Sequence, residues 1–207
     1  MKLKVCGMRE LENISALSEL YPNYIGFIFW SESSRFVDKK SPSLDKKIIK
    51  TGVFVDATFD YILTKIKDHQ LDAVQLHGQE SCSYCKVIKD YGLKVIKSFS
   101  IKNTFDFNTL KDYENSCDYY LFDTKGKLPG GNGFTFDWKI LNKYPSQKPF
   151  FLSGGIGVDN LNEIKKLVKT KLPIHAIDVN SKFETAPGNK NIELLKKFKK
   201  EIDELQR

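Results

Sequence analysis

Short runs of apolar, β-branched and aromatic residues recur along the chain. They fall at Leu3–Val5, Tyr24–Phe29, Gly52–Val55, Ala73–Leu76, Lys94–Phe99, Tyr119–Phe122, Phe150–Leu152 and Ala176–Val179. Most are apolar throughout rather than alternating, which predicts strands covered on both faces. Between them the apolar spacing turns helical. Phe59, Ile62, Leu63 and Ile66 share one face, Leu161, Ile164 and Leu167 repeat every three residues, and Ile192, Leu195, Phe198, Ile202 and Leu205 keep a three-four rhythm. Ser43, Thr58, Ser81 and Asp159 are candidate helix caps.

Eight strands, each followed by a helical segment, predict an α/β fold: a closed parallel (βα)8 barrel of the TIM type. An open doubly wound sheet would have fewer strands and distinct edges. No repeat, low-complexity tract or linker divides the sequence, so residues 1–207 read as a single catalytic domain.

Composition narrows this picture. An apolar share of 41% with 13% aromatics suits a globular protein. No run of eighteen apolar residues offers a membrane span, and Met1–Gly7 reads as a strand and turn rather than a leader. Four scattered cysteines (Cys6, Cys82, Cys85, Cys117) form no disulfide framework, which points to a reducing, cytoplasmic setting. The Cys82–Cys85 pair lacks a second pair for zinc, and of three histidines only His77 falls at a strand's C-terminal end. A metal site is therefore not expected. The net charge of +7 favours an anionic partner, either nucleic acid or a phosphorylated metabolite. Lys165–Lys166 and Lys196–Lys200 spread over outer helix faces rather than interleaving with aromatics, which argues against nucleic acid.

Barrels of this type place their chemistry at the C-terminal strand ends. Those ends supply Cys6, Arg35 in the loop after the second strand, Asp56, Gln75 and His77, Asp123, Ser153–Gly155, and Asp178 through Ser181. Gly154 and Gly155 let backbone approach an anion, with Asn180 and Ser181 as further phosphate donors. Cys6 would act as a base if nearby positive charge lowers its thiol. Asp123 ends an apolar strand, where a carboxyl is costly without a task and is suited to serve as an acid. The planar fork of Arg35 suits a carboxylate. Each has a structural alternative: a small buried residue for Cys6, a turn cap for Asp123, a solvated surface arginine for Arg35, a satisfied side chain for His77.

Read together, these segments resemble the phosphoribosylanthranilate isomerase family of tryptophan biosynthesis along nearly the whole chain. Lys4-Val5-Cys6-Gly7, Tyr24–Phe29 with Ser34-Arg35-Phe36-Val37, and Val74-Gln75-Leu76-His77-Gly78 are similar to its first motifs. Phe122-Asp123-Thr124-Lys125 with Gly130–Trp138, Leu152-Ser153-Gly154-Gly155, and Ile177–Ser181 with Glu184 and Pro187-Gly188 are similar to the rest. Ser34 stands where the family usually has proline, Asn132 replaces a threonine, Asp56 a common asparagine, and Asn180 a serine.

The resemblance implies an Amadori rearrangement of N-(5-phosphoribosyl)anthranilate, without cofactor or metal. Asp123 would be the general acid and Cys6 the general base. Arg35, Gln75, His77 and Asp178 would bind substrate, and Gly154, Gly155, Asn180 and Ser181 its phosphate. The expected partner is this phosphorylated anthranilate, with no nucleic acid and no membrane, in a monomer or homodimer. The glycine-rich Gly130–Gly133 segment is the first candidate for a mobile loop. A different phosphosugar barrel is the nearest alternative. The indole-forming synthase of the same pathway would need lysines at strand ends and an extra N-terminal segment, and a metal-dependent epimerase would need paired histidines at the mouth.

Overall fold

The computed structural model describes residues 1–102, 104–124 and 135–205. Eight parallel strands close a barrel in sequence order: β1 (Lys2–Val5), β2 (Tyr24–Ile28), β3 (Ile49–Phe54), β4 (Ala73–Leu76), β5 (Lys94–Ile101), β6 (Tyr119–Thr124), β7 (Phe150–Leu152) and β8 (Ile174–Val179). β8 closes onto β1 with Lys4 opposite Asp178.

The two-residue period of a strand sorts the side chains. Tyr24, Ile96, Leu121, Phe151 and Ala176 form a separate buried cluster, the apolar filling of the barrel interior. The alternate residues, among them Leu3, Val5, Tyr120, Phe122 and Ile177, belong to the larger core under the outer elements. Two residues beyond Leu121 and Ala176 on the same inward face come Asp123 and Asp178. The interior is apolar in its lower layer and polar at its mouth.

The outer layer is less helical than the sequence suggests. Helices α1 (Leu11–Ser18), α2 (Phe59–His69), α3 (Cys82–Asp90), α4 (Leu161–Val168) and α5 (Ile192–Glu204) are α-helical. Short 3-10 turns follow β5 (Phe107–Tyr113), β6 (Trp138–Lys143) and β7 (Val158–Asn160). No helix follows β2, so Ser43 caps nothing. Pro42 disfavours helix at Ser41. Two contacts pin this segment instead: the Ser41 backbone N–H donates to His69 Nδ1 at 3.2 Å, and Lys50 Nζ donates to the Pro42 carbonyl at 3.0 Å.

Thr58 and Ser81 do cap, accepting from the backbone N–H of Tyr61 and Tyr84, each contributing about 1 kcal/mol. Asp159 does not. It lies inside the turn before α4, and Asn160 Oδ1 accepts instead from the Gly157 N–H at 2.9 Å.

A small antiparallel hairpin, β9 (Glu184–Ala186) and β10 (Asn189–Lys190), follows β8 and has no counterpart in the sequence reading. It brings Glu184 and Lys190 back over the β1 end of the mouth. Among the described residues no helix is long and apolar enough to cross a membrane. The Gly130–Gly133 segment lies outside the described residues.

Candidate active site

One cleft at the C-terminal strand ends gathers the site residues read from the sequence, Asp56 excepted. Cys6, Arg35, Gln75, His77, Asp123 and Asp178 line it, together with Gly154, Gly155, Asn180 and Ser181. Ile28, Trp30 and Val53 add an apolar wall. Asp56 stands outside the lining, its carboxylate accepting from the Gln79 N–H at 2.6 Å.

Cys6 is the first residue after β1 and is buried. Its thiol is pushed up by burial, drawn down by Lys4 and Lys190, and pushed up again by Asp178. The net direction is upward. The sequence expectation that positive surroundings lower this thiol is therefore corrected: desolvation outweighs the lysines.

Asp123 Oδ1 accepts from the Thr124 N–H at 2.9 Å, and Oδ2 lies 3.2 Å from His77 Nε2, at ion-pair distance but without hydrogen-bond geometry. Gln75 Nε2 sits 2.7 Å from His77 Nδ1 and 3.3 Å from Ser98 Oγ. With the amide so placed, the Gln75 N–H donates to Nδ1, and Nε2 faces Asp123. Gln75 Oε1 and His77 Nε2 are buried with no hydrogen-bond partner among the described residues. Orphan polar atoms in a mouth are what a ligand satisfies.

Asp178 is committed to the protein. It accepts from Lys4 Nζ at 2.9 Å and from Ser153 Oγ at 3.1 Å. Burial alone would lower the Lys4 ammonium, but Asp178 and Cys6 hold it above the ordinary lysine value. Arg35 likewise has a protein partner. Its Nε reaches Glu184 Oε1 at 2.8 Å and Nη2 reaches Oε2 at 2.6 Å.

Gly154 carries φ +91, and a Cβ there would strike Thr124 and sit 2.9 Å from Asp123 Oδ1. The β7 loop thus packs directly on the β6 end. Asn180 is bound through its side chain to Lys190 Nζ, at 2.8 Å, so that oxygen is not a free phosphate contact. A Cβ at Gly7 would lie 2.7 Å from both Arg35 Cδ and Asn180 Oδ1, so the β1 turn admits these side chains only as glycine.

Sequence reasoning quoted Lys4 only within a motif and gave neither Lys4 nor Lys190 a role in the site. Both are fully buried, as is most of Lys97, which pairs with Glu80 at 2.8 Å under the β4 loop. Lys4 had a signal, a charge set between Leu3 and Val5 in an apolar strand. Lys190 had none, because only the hairpin brings it to the mouth. Cys82 and Cys85 open α3 as free cysteines away from the cleft. Among the described residues no group of three or more His, Cys, Asp or Glu side chains is placed to hold a metal ion.

A closed parallel barrel whose buried thiol, carboxyl and glycine loop share one mouth defines a (βα)8-barrel enzyme working by acid–base chemistry at the strand ends. Comparison with known proteins makes this particular. The family model described as N-(5'phosphoribosyl)anthranilate (PRA) isomerase matches residues 3–201. The N-(5'-phosphoribosyl)anthranilate isomerase of Parabacteroides distasonis is 42% identical over 210 residues, covering 98% of this chain and 93% of that protein. The solved phosphoribosyl anthranilate isomerase of Thermus thermophilus superposes with a TM-score of 0.85 at 26% identity, covering 99% of this chain and 100% of that one. A second solved phosphoribosyl anthranilate isomerase, in complex with reduced 1-(o-carboxyphenylamino)-1-deoxyribulose 5-phosphate, gives 0.82 at 28% identity, with 99% of both chains covered. The chain belongs to the phosphoribosylanthranilate isomerase family.

Proposed function

We propose that this chain isomerises N-(5'-phosphoribosyl)anthranilate to 1-(o-carboxyphenylamino)-1-deoxyribulose 5-phosphate in tryptophan biosynthesis, as a cytoplasmic enzyme of one domain. The observation that carries the assignment of roles is that Cys6 and Asp123, both buried, line one cleft together with Arg35, Gly154 and Gly155.

Asp123 is the general acid. It protonates the furanose ring oxygen as the C1–O bond breaks, and the substrate nitrogen's lone pair forms the iminium. Cys6, as thiolate, then removes the C2 proton, and the electron pair flows into the iminium to give an enolamine. Protonation at C1 and loss of the hydroxyl proton at C2 give the ketone, so the reaction needs no outside oxidant or reductant. The acid acts first because only the iminium makes the C2 proton acidic. Each group contributes ~10²–10⁴-fold, the usual range for positioned acids and bases.

Arg35 holds the anthranilate carboxylate, and the orphan Gln75 Oε1 and His77 Nε2 meet the sugar hydroxyls. Backbone N–H groups of Gly154, Gly155 and Ser181 take the phosphate. Asp178, tied to Lys4, acts by holding that ammonium beside Cys6 and not by touching substrate. The test is turnover of the phosphoribosyl adduct by the wild-type chain, followed by the change in anthranilate fluorescence. Steady consumption with formation of the ketose is expected, and no turnover with intact substrate would end this reading.

A further inference from the structure

Glu184 lies at the start of β9 with its side chain 6% exposed, and Lys190 on β10 is fully buried. One carboxylate here serves two cations. Arg35 reaches it through Nε (2.8 and 3.1 Å) and Nη2 (2.6 Å), and Lys190 Nζ reaches Oε1 at 2.6 Å. The Gly188 N–H adds a contact to Oε1 at 3.1 Å, and Lys190 also donates to Asn180 Oδ1 at 2.8 Å.

A guanidinium has five N–H groups along two usable edges. Glu184 occupies the Nε/Nη2 edge. Nη1 makes no hydrogen bond among the described residues, so the outer Nη1/Nη2 fork is left for a second carboxylate, and Arg35 lines the cleft. The charges agree with this division. Arg35 and Lys190 against Glu184 leave one positive charge in excess, in a place where little water reaches. An unbalanced buried charge is costly, and an incoming anion relieves it. An Arg35–Glu184 pair alone would be neutral and would call for no further anion. Lys190 makes the bracket anion-accepting.

We infer that Glu184 and Lys190 are positioning residues for carboxylate recognition, Glu184 fixing the inner edge of Arg35 and Lys190 supplying the charge that a substrate carboxylate completes. This rests on the assignment of Arg35 to the anthranilate carboxylate. A protein using Glu184 merely to park Arg35 would behave oppositely, because removing the competitor would then strengthen carboxylate binding.

The test is calorimetric titration of two ligands into the intact protein: the reduced product analogue, and its phenylamino counterpart lacking the carboxyl group. The wild type binds the carboxylated ligand more tightly. Glu184→Gln loses at least about tenfold of that preference, the usual scale for a charged hydrogen-bond partner, while binding the carboxyl-free ligand as before. Glu184→Asp, which keeps the charge but shortens the reach, loses preference in the same direction and serves if the glutamine variant fails to fold. Lys190→Met also narrows the preference, and the two Glu184 variants raise KM with kcat retained. Equal weakening of both ligands would make the bracket merely structural, and unchanged or tighter carboxylate binding would make Glu184 a competitor. Either result overturns the inference. A wild type without any carboxylate preference removes the role of Arg35 and this inference with it, whereas absence of turnover despite that preference strikes only at the isomerase activity.

Discussion

Gly154→Ala tests whether the phosphate loop and the acid are one mechanical unit. The new Cβ would meet Thr124 Oγ1, lie 2.5 Å from the Thr124 nitrogen and 2.9 Å from Asp123 Oδ1. An ordinary contact of about 3.4 Å requires the β7 loop or the β6 end to move by nearly an ångström, a displacement that costs ~10²-fold in rate when it falls on a reacting group. The φ of +91 adds about 1–2 kcal/mol of backbone strain, and the overpacking about 1–3 kcal/mol. At about 2–4 °C per kcal/mol for a chain of this size, Tm falls by roughly 4–20 °C. Gly92→Ala separates strain from clash, because Gly92 has φ +98 and nothing within 4 Å of its Cβ position. Differential scanning calorimetry and the fluorescence assay should show a small Tm loss with full kcat for Gly92→Ala, and loss of both for Gly154→Ala. Wild-type kcat in Gly154→Ala, with a Tm loss no larger than that of Gly92→Ala, would refute the reasoning.

Other outcomes follow from the buried charges. Because the base must be a thiolate and burial pushes Cys6 up, little thiolate exists at neutral pH, and kcat/KM should climb with pH to a midpoint above the ordinary thiol value of about 8.5. A profile flat between about pH 7 and 9 would contradict the thiolate assignment. Lys97→Met strands Glu80, which accepts from the N–H groups of Asp56 and Gly78 at 3.0 Å each. Breaking such a buried pair costs about 3–5 kcal/mol, read as a Tm loss of roughly 6–20 °C, and a change within experimental error would show the pair to be idle.

The barrel was legible because its strands are buried on both faces, and that burial writes unbroken apolar runs such as Tyr119–Phe122 and Phe150–Leu152. Cys6, Asp123 and Gly154 were legible as polar or glycine residues ending those runs. The segment after β2 was not, because the absence of a helix there reflects Pro42 and the ties of Ser41 and Lys50 to distant residues. Nor were the partners of the charges. Lys4 and Asp178 are 174 residues apart and meet only when β8 closes on β1. Arg35 looked free for a ligand, yet its inner edge belongs to Glu184, which a hairpin delivers from 149 residues away. The direction of the Cys6 shift depended on burial against two lysines, a balance that no local pattern records.

The central claim is the division of labour between Cys6 and Asp123, and the direct measurement is single-turnover kinetics of Cys6→Ser and Asp123→Asn beside their binding of the reduced product analogue. The account predicts that each variant keeps the analogue's affinity and loses ~10²–10⁴-fold in the rate of rearrangement. A Cys6→Ser or Asp123→Asn enzyme that rearranges the substrate at the wild-type rate would contradict it.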